Sequence, residues 1–167
     1  MTAGPARPRR IVSLTAAALG LLVLLGVNLG GAIHARGLGA ADDAFISYRM
    51  ARNLGDGHGL RFNPDGPPIE AASNFLLTVM LAGAHVAGLS LVRSSITIAL
   101  VSTVLTLLLL LWCVRRHVGP WAIWAPFALA AMSVTCRSVT NGLETSLFGL
   151  LVLLGIALYI EIGRASC

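Results

Sequence analysis

Two adjacent carboxylates, Asp42 and Asp43, open a polar stretch in a chain that is otherwise largely hydrophobic. Neighbouring anions repel each other, which tends to raise the proton affinity of one of them and suits it to act as a general base. Three basic side chains that could hold a phosphate follow in the same stretch, namely Arg49, Arg52 and His58. These residue types suit proton abstraction beside a bound phosphate.

The same residues also have a structural interpretation. Asp is common at helix N-termini, and Arg49 or Arg52 could equally lie at a helix C-terminus or at lipid headgroups. The context favours chemistry, because five of the seven acidic residues fall in one loop, at positions 42, 43, 56, 65 and 70. Glu144, in the segment NGLETS, is a second candidate because a carboxylate among apolar residues is costly unless it faces water or a partner. A charge at a helix boundary is the alternative there.

The elements that must position these side chains are membrane segments. Apolar residues make up 56% of the 167 residues and charged residues only 11%, whereas a soluble domain has about a quarter charged residues. Crossing a bilayer core as a helix takes about 20 residues. The uncharged runs are residues 11–33, 94–114 and 118–136, with shorter ones at 75–92 and 145–160. We therefore predict an all-α integral membrane protein with four or five membrane segments.

Arginines define the predicted topology. The net charge is +5, but all 12 Lys and Arg positions are Arg and lie mainly at the ends of apolar runs, which indicates orientation in the membrane rather than nucleic-acid binding. Arg7, Arg9 and Arg10 precede the first run, which is too long for a signal peptide. We expect residues 1–10 in the cytoplasm, a retained helix over 11–33, an extracytoplasmic loop over 34–73, further membrane segments over 74–160 and a short end at 161–167.

The loop itself has local structure. Residues 41–54 contain neither Gly nor Pro, begin with two Asp, end with Arg residues and stop at Gly55. This pattern predicts a short helix that lies on the membrane surface. The following GDGHGLRFNPDGPP is dense in turn-forming residues, so the backbone must fold tightly.

The later segments admit two arrangements. Strict alternation of five spans puts Glu144 in the cytoplasm, with Arg115 and Arg116 outside, against the positive-inside rule. If residues 75–92 lie flat or re-enter, Arg115, Arg116 and Arg164 return to the cytoplasm and Glu144 joins the Asp pair outside. We favour the second arrangement.

Three segments carry a resemblance to a known family: DDAFISYRMARNLGDGHGLRFNP, IEAASNFLL and NGLETSLFGLL. They resemble the N-terminal part of the GT-C superfamily of membrane glycosyltransferases, and are most similar to the actinobacterial and mycobacterial arabinofuranosyltransferases of the terminal β-(1→2) type. The resemblance covers about residues 10–160. Ala72 and Leu77 depart from it, since aromatic residues are usual at these places in the family, and sugar rings are usually held by aromatic faces.

The resemblance implies a GT-C-type helical bundle in the plasma membrane, multi-pass, with its active site on the extracytoplasmic face. The donor would be a polyprenyl-phosphate-linked sugar, decaprenyl-phosphate-arabinose, and the acceptor a cell-wall polysaccharide, arabinan. In this inverting reaction Asp42 would be the base, and Asp43 would orient it or bind the acceptor or a cation. Arg49, Arg52 and His58 would contact the phosphate. The remaining substrate-binding candidates are Glu70, Asn74 and Glu144.

Cofactor and alternatives stay open. A divalent cation on Asp42 and Asp43 is possible, but two carboxylates fall short of the six or more oxygen ligands that calcium takes, so Glu144, water or substrate would have to contribute. Because enzymes of the family are longer, we expect this chain to be an N-terminal fragment, whose activity alone is open. The alternatives are a GT-C enzyme that moves mannose or another sugar, a transporter, and a non-catalytic membrane scaffold.

Overall fold

The computed structural model describes residues 6–36, 40–67 and 74–165. Within these ranges every regular element is helical and no strand occurs, which confirms the predicted all-α class. The α-helices are α1 (Ala6–Arg36), α2 (Asp42–Gly55), α3 (Phe75–Val86), α4 (Leu91–Cys113), α5 (Trp124–Ala131), α6 (Ser133–Thr140) and α7 (Thr145–Ala165). A π-helical turn, Val114–Val118, and a 3₁₀ turn, Pro120–Ile123, join α4 to α5.

Three helices are long and apolar enough to cross a membrane, over Thr15–His34, Leu91–Val118 and Thr145–Ala165. The bent pair α5 and α6 passes the same test as a unit, which would make four spans. The predicted count of four or five is therefore reached, at its lower value, only if the bent pair is one span; three helices pass the test singly. The apolar run at 75–92 is divided between two helices: α3 has only 12 residues, about 18 Å of helix, which is short of the ~30 Å bilayer core.

Side-chain contacts give the direction of the helices. Thr103 Oγ1, midway along α4, donates to Ser146 Oγ (3.1 Å) at the start of α7, and Arg116, in the turn just after α4, donates to Glu161 near the end of α7. Because residue numbers rise together along both helices, α4 and α7 run parallel. The α5–α6 pair, which follows α4 and precedes α7 in the sequence, therefore leads the chain back to the end at which α7 begins. Arg116 and Glu161 lie at the end opposite to the start of α7.

The other end of the bundle gathers α2 and the turn between α6 and α7. The backbone N–H of Ala41, just before α2, donates to the carbonyl of Asn141, just before α7 (2.9 Å). The Tyr48 hydroxyl of α2 is hydrogen-bonded to Ser95 near the start of α4 (2.6 Å). We call this region, formed by α2, α3, the start of α4 and residues 141–144, the α2 end. Glu144 thus lies at the same end as the Asp pair, as in the arrangement favoured from the sequence.

Two hydrophobic clusters hold these parts together. One packs α2 and α3 on the start of α4, because apolar residues recur on one face of α2 at helical spacing; it consists of Ala44, Tyr48, Ala51, Leu77, Leu81, Ala82 and Leu91. The second joins α1, α4 and α5 through Ala17, Leu21, Leu25, Leu107, Leu111 and Ala130. Helices α2 and α3 run parallel, since Ser47 contacts Asn74 and Asp56 contacts His85.

The prediction of one continuous segment over residues 118–136 is wrong in one respect. The chain bends by 52° between α5 and α6, where Met132 has an extended backbone (φ −71°, ψ 131°). At the break the carbonyl of Leu129 accepts from the backbone N–H of Met132 (3.2 Å) and from the Thr135 hydroxyl (2.6 Å). A side chain thus supplements the backbone bonding, as Ser and Thr commonly do, and the bend itself contains neither Pro nor Gly.

Candidate functional site

The acidic pair occupies the first turn of α2, and the predicted helix over 41–54 is confirmed as Asp42–Gly55. The N-cap position is Ala41, and no side chain caps the helix. Both Asp42 and Asp43 are exposed, and neither carboxylate has a hydrogen bond or ion pair to any residue that the structure describes. Capping by a side-chain hydrogen bond therefore does not explain them. The helix dipole favours both charges.

Tyr48 fixes α2 against its surroundings. Its ring is buried, and its hydroxyl lies between Ser95 and the backbone of Gly142, where an added Cβ would overlap the Tyr48 oxygen. Gly142 also has φ +72°, a conformation that side chains disfavour. Burial raises the pKa of the Tyr48 phenol, and its hydrogen bond with Ser95 acts in the opposite direction. The start of α2 is therefore held rigidly on the turn that precedes α7.

Asn74 and Glu144, predicted separately from distant segments, meet in one hydrogen-bond network. Asn74 Nδ2 donates to Glu144 Oε2 (3.1 Å). Its amide oxygen accepts from Ser47 Oγ of α2 (3.0 Å) and from Thr78 Oγ1 of α3 (3.1 Å). The Asn74 side chain is buried, so these partners satisfy a group that would be costly to leave unpaired. Asn74 thus joins α2, α3 and the start of α7.

A cleft of about 160 Å³ opens beside this network, between the first turns of α3 and α7. Asn74 and Glu144 supply its polar side chains. Its apolar walls are formed by Phe75, Leu76, Leu77, Leu147, Phe148 and Leu151. The cleft therefore joins a carboxylate to a lipid-like surface at the α2 end of the bundle.

Arg49 lies seven residues after Asp42 on the same face of α2, about 10 Å further along the helix. Its guanidinium donates to Asn63 Oδ1 (2.8 Å) and lies 4.4 Å from the centroid of the Phe62 ring. Asn53 Nδ2 donates to the carbonyls of Arg61 (2.7 Å) and Phe62. These contacts fold residues 56–67 back onto α2. The structure thus gives Arg49 a role in holding the loop, beside the phosphate contact that the sequence suggests.

The remaining predicted residues have different environments. Arg52 and His58 are exposed, and their side chains make no hydrogen bond or ion pair within the described ranges. Glu70 lies outside the residues that the structure describes, and so does Ala72. Of the predicted set, then, Asn74 and Glu144 are in direct contact, Arg49 is bonded to the loop, and Arg52 and His58 are open to solvent.

A cation site is not completed by the acidic pair. Among residues 6–36, 40–67 and 74–165, no three His, Cys, Asp or Glu side chains come close enough together to hold a metal ion. Asp42 and Asp43 therefore gain no third protein ligand of these types there. A cation bound to the pair would take its other ligands from water or substrate.

Sequence reasoning missed Ser47, Tyr48 and Gly142 as parts of this site. Ser47 and Tyr48 carry no signal of their own, because small and aromatic residues on a short helix are ordinary packing residues. Gly142 lies two residues before Glu144 and shortly before the apolar α7, and a Gly at such a place often marks a backbone conformation that other residues disfavour. That signal was available in the segment NGLETS.

Comparisons with known proteins identify no relative. No protein-family model matches the chain, no curated protein matches it, and no solved structure matches it.

Proposed function

We propose that this protein transfers a sugar from a polyprenyl-phosphate donor to a cell-wall polysaccharide. The arabinofuranosyltransferases that its motifs resemble indicate that the sugar is arabinofuranose. The observation that carries the proposal is the pair Asp42 and Asp43, exposed and without a protein partner in the described residues, at the start of a helix that Tyr48 fixes on an apolar bundle. Such carboxylates are free to act on a substrate. Their place at an end of the bundle suits a donor whose lipid tail stays in the membrane.

We infer the orientation in the membrane from the arginines at the ends of the helices. Arg115, Arg116 and Arg164 lie at the end opposite to α2, where Arg116 is bonded to Glu161. Cytoplasmic ends of membrane helices are enriched in Arg and Lys. The α2 end carries Arg49, Arg52 and Arg93 as well, so the side rests on the cluster Arg7, Arg9 and Arg10, which precedes the first span and would keep the N-terminus in the cytoplasm. The α2 end would then be extracytoplasmic in the plasma membrane, where lipid-linked sugars rather than nucleotide sugars would be the donors.

The proposed reaction uses the open carboxylate. The acceptor hydroxyl oxygen attacks the anomeric carbon of the donor sugar, and its proton passes to Asp42. The bond between the anomeric carbon and the phosphate oxygen breaks, so polyprenyl phosphate leaves with the electron pair. Arg52 and His58, which are exposed on and just after the same helix, would stabilise the negative charge on the leaving phosphate.

The test measures donor binding and transfer separately, with the protein in lipid nanodiscs, radiolabelled decaprenyl-phosphate-arabinose and an arabinofuranoside acceptor. We expect the native chain to bind the donor and to transfer the sugar. Asp42→Asn should retain donor binding and lose transfer by roughly 100- to 10,000-fold, because Asn cannot accept the proton. Asp43→Asn should cost less.

Asp65→Asn is the matched control, since Asp65 is an exposed carboxylate of the same loop; we expect native transfer from it. Absence of donor binding by the native chain would refute the function. Full activity of both Asp42→Asn and Asp43→Asn would show that the pair has no catalytic role.

A further inference from the structure

The cleft between α3 and α7 contains a carboxylate, Glu144, that can accept hydrogen bonds. Asn74 Nδ2 bonds only one carboxylate oxygen of Glu144, Oε2, at 3.1 Å. The other oxygen, Oε1, has no partner among the residues that the structure describes. An ionised carboxylate has only acceptor sites, so a ligand that displaces water from Oε1 has to offer that oxygen a hydrogen-bond donor.

Asn74 makes this acceptor rigid. Its amide oxygen accepts from Thr78 Oγ1 (3.1 Å), and Ser47 Oγ lies within hydrogen-bond distance of both the amide oxygen (3.0 Å) and Nδ2 (2.9 Å). The bond from Thr78 fixes the amide oxygen, so the NH₂ group faces Glu144. The three partners come from α2, α3 and the start of α7, and Asn74 is only 7% exposed. A carboxylate held in this way is preorganised, and its hydrogen bonds to a ligand are charge-assisted and strong.

Two aromatic rings stand beside the carboxylate. Phe75 is 61% exposed and Phe148 is 65% exposed, and both line the cleft. Leu77, where the resemblance would place an aromatic residue, is instead buried, at 2% exposure, in the cluster that joins α2, α3 and the start of α4. Exposed aromatic faces beside hydrogen-bonding groups suit a ligand with apolar C–H faces and hydroxyl edges.

We propose that this cleft is a subsite for one sugar ring of the acceptor, whose hydroxyls donate to Glu144 and whose C–H face packs on Phe75 or Phe148. This inference rests on the proposed function. The volume of about 160 Å³ is below the roughly 300–1,000 Å³ of a whole small-molecule site, as expected if one ring of a longer chain is held.

Charge and polarity argue that neither the phosphate nor the polyprenyl tail of the donor occupies the cleft. The phosphate would be repelled by the carboxylate of Glu144, since none of the described residues that line the cleft is basic. The polyprenyl tail has no hydrogen-bond donor, so it would bury Glu144 Oε1 without a partner, which is costly. A hydroxylated ring satisfies both the carboxylate and the apolar walls.

The experiment measures acceptor and donor binding independently, with the protein in nanodiscs. Saturation-transfer NMR follows a synthetic arabinofuranoside acceptor, and retention of radiolabelled decaprenyl-phosphate-arabinose follows the donor. We expect Glu144→Gln to weaken acceptor binding about tenfold, because the charge-assisted bonds are lost. Phe148→Leu should weaken it about 3- to 10-fold through loss of the ring face. Both variants should bind the donor normally.

Tyr159→Leu is the control, because Tyr159 is an exposed aromatic residue of α7 outside the cleft; its acceptor binding should be native. Unchanged acceptor binding in both Glu144→Gln and Phe148→Leu, with the donor still bound, overturns the subsite and leaves the proposed function intact. Weakened donor binding with native acceptor binding also overturns it and assigns the cleft to the lipid. Loss of donor binding by the native chain instead refutes the proposed function.

Discussion

At the residue scale, the contact of Gly142 with Tyr48 is the tightest constraint on the site. Gly142→Ala would place a methyl group where the Tyr48 hydroxyl lies, in a backbone with φ +72°. We expect a loss of about 1–3 kcal/mol of stability, measured as a lower thermal midpoint in detergent.

Gly149→Ala serves as the comparison, because a Cβ at Gly149 meets nothing within 4 Å and Ala is the better helix former. That variant should be neutral or stabilising. Equal midpoints for Gly142→Ala and Gly149→Ala would mean that the Tyr48 contact does not constrain the turn.

The same tyrosine predicts a dependence of stability on pH. Burial raises the pKa of Tyr48 in the folded state, while an unfolded Tyr titrates at about 10. Above that pH the unfolded state binds fewer protons than the folded state, so the contribution is complete below about pH 10 and is lost as the pH rises through the folded-state pKa. Thermal midpoints should fall less between pH 8 and pH 11 in Tyr48→Phe than in the native protein. Identical falls would exclude this linkage.

At the element scale, the loop after α2 is held by side chains of the helix. Asn53 is buried and donates to two loop carbonyls, those of Arg61 and Phe62. Asn53→Ala leaves both without this donor. Since each such bond contributes about 1 kcal/mol, amides of residues 57–66 should exchange with deuterium roughly tenfold faster or more.

Arg52→Ala, a change at the exposed neighbouring residue, should leave that exchange unchanged. Equal exchange in the Asn53→Ala variant and the native protein would show that other contacts suffice to hold the loop. Arg49, which bonds Asn63 and covers Phe62, is the contact that would then have to carry it.

At the scale of the whole molecule, the arrangement of the helices predicts which segments lie on the same side of the membrane. The loop after α2 and the C-terminal end of α7 lie at opposite ends of the bundle. We test this with single cysteines, Thr2→Cys, His58→Cys and Arg164→Cys, in a background in which Ala replaces Cys113, Cys136 and Cys167.

A membrane-impermeant thiol reagent should label His58→Cys in intact cells, and the other two only after the membrane is opened, because Arg clusters favour the cytoplasm. Equal labelling of Thr2→Cys and His58→Cys in intact cells would contradict this topology. Labelling of both His58→Cys and Arg164→Cys in intact cells would contradict the placement of these two residues at opposite ends of the bundle.

Much of the candidate site could be predicted residue by residue, although its assembly could not. Asn74 and Glu144 were both candidates, yet nothing in their spacing shows that they share a hydrogen bond across 70 positions. Arg49 was predicted as a phosphate ligand from its charge alone, and its contacts with Asn63 and Phe62 depend on how the loop folds back.

The sequence by itself determined the class of the protein, three of its long helices and α2, because these depend on local quantities. Runs of apolar residues set the spans, and an acidic start with a Gly stop sets α2. The break between α3 and α4 is local as well, because Gly88 has φ +75° and the N–H groups of residues 87–89 close the last turn of α3. Tertiary structure alone decided how α2, α3 and the two helices α4 and α7 meet, with Asn74 bonded to Glu144 and Tyr48 bonded to Ser95. These hydrogen bonds join residues 70 and 47 positions apart, so no local pattern records them.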